Sequence, residues 1–226
     1  MVRLATNKAG LGVEPVAHVT LQERIFRQIT DLILNGEIAP GEIITIQSLA
    51  NAFGVSTMPV REALIRLTAN GALTTVTGRT VGVPKLTLAQ LKELRNVRKE
   101  IEGLAATWAA INATGPQIDR MRRLCDDLEK AVNSEDVKAY LRLNREFHFA
   151  VYGLAQSPTL VTLIETLWLR ISPYFNLLHE SGNYVISNTH HRKLLEALET
   201  NQPAQAREAV ASDIQDAYAV LATLVE

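Results

Sequence analysis

The sequence predicts a mainly α fold in two parts: a small N-terminal unit closed by a β-hairpin, then a C-terminal antiparallel six-helix bundle. Three observations predict it. Apolar residues recur at helical spacing from Leu21 to Leu224. β-Branched residues cluster at one place, residues 72–84. Helix stops and caps fall at short intervals after residue 85, which suits a bundle rather than a long coiled coil. The boundaries drawn from these signals are a flexible tail at 1–18, a first domain at 19–85 and an all-helical domain at 86–226.

The first helix opens near Thr20, with Leu21, Ile25, Ile29, Leu32 and Ile33 on one face and Asn35-Gly36 as its stop. Ala39-Pro40-Gly41 is a turn. Thr45 caps a second helix with Ile46, Leu49, Ala50 and Phe53 inward, and Gly54 ends it. Ser56 caps a third, with Pro59 in its first turn and Val60, Leu64 and Leu67 inside, stopped by Asn70-Gly71. A helix pair joined by a short Gly-containing turn is a helix-turn-helix layout. The runs Leu73 to Thr77 and Thr80 to Val83, joined by Gly78-Arg79, form a hairpin behind it, which makes a winged helix-turn-helix. After Pro84 everything reads helical. Thr87 and Gln90 form a capping box for a helix to about residue 112. Further helices are expected at 117–132, 135–155, 158–178, 188–200 and 203–224, with a loop at 179–187.

Composition narrows the function classes. The chain has 226 residues, 47% of them hydrophobic, which suffices for a packed core and excludes disorder as the main state. Its single cysteine, Cys125, excludes an internal disulfide framework and a cysteine-based zinc finger. No apolar run approaches the roughly 18 residues of a membrane span, and the N-terminus lacks the apolar core of a signal peptide. A soluble, cytoplasmic protein with no membrane partner is expected. The net charge of −1 hides an asymmetry: residues 48–85 carry Arg61, Arg66, Arg79 and Lys85 against Glu62 alone. That weak basic patch is compatible with nucleic acid.

Polar residues that interrupt apolar stripes mark the second candidate site, because an inward polar group without a partner costs free energy. Arg98 lies in the stripe Leu91, Leu94, Ile101, Ala105. Asn144 and His148 sit one turn apart beside Leu141 and Val151. His191 shares a face with Leu194, Leu195 and Leu198. Asp213 is the only charged member of Ala206, Val210, Ala217, Val220, Leu224. Any one of these alone is an ordinary satisfied core group, and Asp213 could simply pair with Arg98. Four helices breaking pattern together suggest a shared pocket. Two imidazoles, a carboxylate and an amide oxygen suit one divalent transition metal per subunit, Zn, Ni or Mn. Arg98 could grip a carboxylate. His190 and His179 fall on the surface or the pocket rim, and Cys125, Trp108 and Trp168 in the core. No nucleotide-binding Gly-rich loop, G-x-S-x-G elbow or paired Glu-x-x-His motif occurs.

Several of these segments resemble a known family. Ile38-Ala39-Pro40-Gly41-Glu42, Leu49-Ala50, Gly54-Val55-Ser56 and Pro59-Val60-Arg61-Glu62-Ala63-Leu64 resemble the winged-helix domain of GntR-family bacterial transcription regulators. Arg98 with Glu102, Asn144 with Phe147 and His148, His191-Arg192 with Leu195 and Ala197, and the late Asp213 resemble the FCD ligand domain of the FadR subfamily, in its VanR-type six-helix branch. The resemblance covers about residues 20–226. It implies a dimeric DNA-binding regulator, a repressor by expectation, whose operator binding responds to a small organic acid. It implies metal ligands at Asn144, His148, His191 and Asp213; the family's usual set is one Asp and three His. It implies effector contacts at Arg98 and Glu102. The candidate DNA-contacting residues are Thr45, Gln47, Ser56, Thr57, Met58, Arg61, Arg66, Gly78 and Arg79. The family usually carries Arg after G-V-S, where this chain has Thr57, and R-G in the wing, where Arg79 is followed by Thr80. The alternative from a different class is a metal-dependent enzyme that acts on a small organic acid in the helical domain.

Overall fold

The structure, a computed structural model, describes residues 20–225; the expected tail at 1–18 lies outside them. Helix α1 (Leu21–Leu34) is capped by the Thr20 hydroxyl and buries Ile25, Ile29 and Ile33, while Leu21 stays exposed. Strand β1 (Ile43–Thr45) leads into α2 (Ile46–Phe53), which Thr45 caps by accepting from the Ser48 amide. Gly54 ends α2 at φ 64°, and α3 (Thr57–Ala69) follows. Strands β2 (Thr74–Thr77) and β3 (Thr80–Gly82) form the expected hairpin around Gly78 and Arg79.

The hairpin is not the whole sheet. β1 pairs antiparallel with β3, Ile44 opposite Val81, giving the order β1-β3-β2. The added strand is Ile43-Ile44-Thr45, a β-branched run too short to stand out in a periodicity reading. It ties the entry of α2 to the wing, so the helix pair and hairpin share one small core of Val60, Leu64, Leu67, Leu73 and Val81.

The second half runs α4 (Leu88–Asn112), α5 (Gly115–Asn133), α6 (Val137–Leu154), α7 (Pro158–Ile171), α8 (Asn183–Glu199) and α9 (Pro203–Leu224). Thr87 and Gln90 form the capping box on α4, and Ser157 caps α7 ahead of Pro158. Helix α4 packs along α9, and α9 along α8. Two expectations change here. The helix expected over 158–178 stops at Ile171, because Pro173 cannot donate an amide hydrogen and its ring crowds the preceding turn; the chain continues as a 3-10 segment, Ser172–Ser181. The loop expected over 179–187 contracts to Gly182, at φ 73°, and α8 begins five residues earlier than expected, at Asn183. In α9 the buried stripe drifts from Val220 and Leu224 to Ile214 and Leu221, as 3.6 residues per turn requires.

The 3-10 segment also joins the two halves. The Tyr174 hydroxyl accepts from the Leu86 amide at 2.6 Å and donates to the Pro84 carbonyl at 3.0 Å. The Asn176 side-chain amide donates to the Gly36 carbonyl. From α6, Arg145 reaches α1, bonding Asp31 at 2.8 Å and Asn35 at 3.1 Å.

Gly36 sits at φ 68°, and a Cβ there would meet the Asn176 amide nitrogen at 2.8 Å. Gly36→Ala should therefore destabilise the protein by about 1–2 kcal/mol through the left-handed backbone alone, and more where Asn176 cannot retreat. Urea unfolding of the variant beside wild type measures it.

Candidate functional site

Two surfaces carry the chemistry. The first is the N-terminal end of α3 with the wing. Ser56 stands in the cap position with extended backbone, but its hydroxyl makes no cap bond, so it stays free for an outside acceptor or donor. Thr57 is half-buried, while Met58 and Arg61 project into solvent from the same turn. Arg61 and Gly78 line one groove of about 310 Å³ between α3 and the hairpin. Arg79 is exposed at the hairpin tip, where its amide bonds the Thr77 hydroxyl.

Three candidate residues of this surface are engaged elsewhere. The Thr45 hydroxyl caps α2, and Gln47 bonds Asn51 at 2.8 Å. Arg66 lies at the far end of α3; it pairs with Glu23 at 3.0 Å and covers the Phe26 ring at 3.7 Å. Its guanidinium holds α3 to α1.

The second surface is an interior one. Helices α4, α6, α8 and α9 bring Arg98, Asn144, His148, His191 and Asp213 together inside the bundle. Arg98, Asn144, His148 and Asp213 line one enclosed cavity, closed by Trp168 and by Phe175 of the 3-10 segment. His148 and His191 are 3% and 1% exposed. Their Nε2 atoms lie 3.0 Å apart. Asp213 Oδ2 is 3.3 Å from His148 Nε2 and 3.9 Å from His191 Nε2. The other carboxylate oxygen accepts from Ser187 at 2.6 Å.

These atoms are spaced as metal ligands are. Donors on a transition ion at about 2.0–2.1 Å stand roughly 3.0–3.4 Å apart, close to two of the three separations. Two nitrogen lone pairs and a carboxylate meeting at this distance repel unless a proton or a cation stands between them. The Asn144 side-chain oxygen is buried in the same cavity wall with no hydrogen-bond partner among the described residues. An orphaned acceptor beside three converging ligand atoms fits a cation.

Electrostatics agree. Burial pushes His191 down to about 3, with His148 and His190 adding to it against Asp213; its imidazole is neutral, as a ligand must be. Burial opposes ionisation of Asp213, but the surrounding His148 and His191 imidazoles and the Ser187 hydroxyl hold its carboxyl well below the usual carboxylate range. Burial pushes the Cys125 thiol up to about 12, which leaves it an inert core group. His190 bonds Asp216 at 2.8 Å, away from the cluster, and His179 lines an outer cavity.

Arg98 and Glu102 form a pair nine-tenths or more enclosed. Arg98 Nε donates to Glu102 Oε1 at 2.6 Å and Nη2 to Oε2 at 3.3 Å. Burial works against the guanidinium, but the Glu102 carboxylate more than offsets it. Glu102 also accepts from Tyr152 and Trp168, and it does not line the cavity. It supports Arg98 from behind. Removing it would leave a buried cation unpaired, a change of about 3–5 kcal/mol.

The sequence reading missed Ser187, Tyr140, Tyr152, Tyr184 and Trp168. Ser187 and Tyr184 fell in the expected loop; once α8 is extended, Ser187 is four residues from His191 on the same face. Tyr152 stands four residues after His148, which was the available signal. Tyr140 and Tyr184 stack at 4.0 Å and line both the enclosed cavity and the outer one, so the pair stands between them.

Comparison with known proteins now decides the assignment. Residues 21–83 match the bacterial regulatory proteins of the gntR family, and residues 93–216 match the FCD domain. The chain belongs to this family. It is a DNA-binding transcriptional regulator. It is 30% identical to the HTH-type transcriptional regulator McbR of Escherichia coli over 93% of this chain and 96% of that one. The solved structure of E. coli McbR/YncC superposes with a TM-score of 0.85, covering 92% of this chain and all of that one at 29% identity. The uncharacterized HTH-type regulator YdhC of Bacillus subtilis is 26% identical over 83% of this chain and 84% of its own. These relatives are regulators, and none supports the enzyme alternative. FCD domains often bind metal, and His148, His191 and Asp213 form a candidate site for one. No helix among the described residues is long and apolar enough to cross a membrane.

For this GntR regulator the two arginines of α3 separate cleanly. Arg61→Ala should weaken binding to the DNA upstream of its own gene by about 1–3 kcal/mol. Arg66→Ala should leave that affinity nearly unchanged and lower stability by up to about 1 kcal/mol, the worth of an exposed ion pair with a cation–π contact. Fluorescence anisotropy with the upstream duplex and a thermal melt distinguish them.

Proposed function

We propose that two copies of the chain bind an operator duplex as a homodimer in the cytoplasm, and that a small organic acid in the helical cavity releases them. The acid is held by one divalent transition metal, Zn, Ni or Mn, and by Arg98. The observation that carries this reading is the convergence of the His148, His191 and Asp213 ligand atoms at the wall of the cavity that Arg98, His148 and Asp213 line, within a chain whose other half binds DNA. Asn144 would complete the ligand set, and Glu102 would hold Arg98 in place. The metal would supply a Lewis-acidic anchor for a carboxylate. A repressor is supported by one relative's name: the HTH-type transcriptional repressor RspR of E. coli is 27% identical over 65% of this chain.

On α3, Ser56, Thr57, Met58 and Arg61 would meet base edges and phosphates, with Gly78 and Arg79 at the neighbouring minor groove. One such unit makes few contacts. Two joined units gain affinity through effective concentration. An exposed stripe on α4 supplies a seam for joining them. Val97, Ile101, Leu104, Trp108 and Ile111 recur at 4-3-4-3 spacing; Val97, Trp108 and Ile111 are 41%, 38% and 58% exposed, Trp108 contrary to the expectation that it lies in the core, while Ile101 and Leu104 are half-buried. That spacing is the seam of a paired helix. Trp108→Asp should convert a dimer into monomers and weaken operator binding at least tenfold; sedimentation velocity and anisotropy report the two effects.

Transmission would run through the 3-10 segment. The cavity holds about 30 Å³ of free space, room for little more than a water or an ion. An acid with a carbon skeleton must therefore push side chains outward. Phe175 and Leu178 line the cavity, while Tyr174 and Asn176 of the same segment hold Leu86, Pro84 and Gly36 of the DNA-binding half. Displacing one set moves the other, and the acid shifts the dimer between DNA-competent and incompetent states.

The experiment is operator binding measured with Zn-loaded protein across a panel of mono- and dicarboxylates. At least one acid should weaken operator binding tenfold or more. Asn176→Ala should keep both operator binding and acid binding by calorimetry, yet shrink that response to threefold or less. An unchanged response in Asn176→Ala would remove the 3-10 segment from the path.

A further inference from the structure

We infer that Tyr152 is a positioning residue for the metal ligand His148: it keeps the imidazole hydrogen on Nδ1 and so turns Nε2 toward the metal. The inference rests on the metal reading above and reaches one layer further out.

Glu102 is fully buried, and three side chains point into it. Arg98 donates from Nε and Nη2, and Trp168 from Nε1 at 3.1 Å. Neither arginine nor tryptophan can accept, and a carboxylate paired with arginine can only accept. The Tyr152 hydroxyl lies 2.5 Å from Glu102 Oε2. Its single proton therefore goes to Glu102. Its oxygen then faces His148 Nδ1, 3.1 Å away, with lone pairs only. A lone pair facing a bare ring nitrogen would repel, so Nδ1 carries the hydrogen. His148 Nε2, on the other side of the ring, meets His191 and Asp213.

The opposite arrangement has a strong attraction of its own. Asp213 Oδ2 stands 3.3 Å from His148 Nε2. Without Tyr152, a neutral His148 would place its one hydrogen on Nε2 and give it to that carboxylate. The ligand face would then be blocked by a proton. Tyr152 and Asp213 compete for the same hydrogen from opposite sides of the ring, and Tyr152 wins because Glu102 has fixed its orientation. His191 has no such support: its Nδ1 is buried without a partner among the described residues. Of the two imidazoles, His148 is the one whose ligand form is built in advance. Partners of this kind typically contribute about 10–100-fold in metal affinity.

The test uses untagged full-length protein at pH 8, stripped of metal with a chelator and labelled with 15N-histidine. NMR of the wild type should show His148 Nδ1 protonated. In Tyr152→Phe the hydrogen should move to Nε2. Zinc ion alone, titrated against a competing chelator, should bind Tyr152→Phe about 10–100-fold more weakly than wild type. A wild-type His148 with bare Nδ1 overturns the inference without any variant. So does Tyr152→Phe with Nδ1 still protonated, whatever its zinc affinity, because a loss of affinity would then be structural. Wild-type protein that shows the protonated Nδ1 yet binds no zinc contradicts the metal reading instead, and leaves the tautomer assignment standing.

Discussion

An ion pair buried inside an apolar bundle is the constraint on which the rest of the helical half depends. Arg98 and Glu102 are 5% and 0% exposed, one turn apart on α4. Taking two charges out of water costs more than their attraction returns unless the remaining donors and acceptors are satisfied. Glu102 meets that condition with Trp168 from α7 and Tyr152 from α6. Three helices are thereby fixed around one carboxylate, and Tyr152 carries the network on to His148. An apolar core would have been easier to build. The polar one leaves Arg98 and His148 side by side in the cavity wall.

The second constraint is the break after Ile171. Pro173 ends a helix that hydrophobic periodicity would have continued, and Gly182 allows the chain to re-enter α8 within one residue. The ten residues of the 3-10 segment, Ser172–Ser181, face both ways. Phe175 closes the cavity, and Tyr184 on α8 holds it by donating to the Phe175 carbonyl at 2.9 Å. Tyr174 and Asn176 grip the winged half. A straight α7 would present one face to the cavity and the rest to its neighbours, with no such bridge.

Much of this architecture was legible in the sequence, and the parts that were not share a cause. Caps at Thr20, Thr45, Thr87 and Ser157 act through local backbone geometry, so three or four residues suffice to read them. Arg98, Asn144, His148, His191 and Asp213 stood out because each interrupts an apolar stripe. Strand β1 was invisible because three residues hold too little periodicity; only its pairing with Val81 makes it a strand. Ser187 and Tyr184 were hidden by an expected loop, since nothing local says where a 3-10 segment hands over to a helix. Arg66 read as part of a basic patch, yet its partners Glu23 and Phe26 lie about forty residues earlier in the chain, a distance across which sequence spacing carries no information.

The central claim is that the interior cluster of His148, His191 and Asp213, with Asn144, holds a metal ion rather than a proton network. Elemental analysis of protein purified without a His-tag, wild type beside Asp213→Ala, addresses it most directly. Asp213 supplies the only carboxylate of the set, so its loss should matter most. The account predicts close to one Zn, Ni or Mn per chain in wild type and next to none in Asp213→Ala. Wild-type protein that remains empty after dialysis against each of these metals would contradict it.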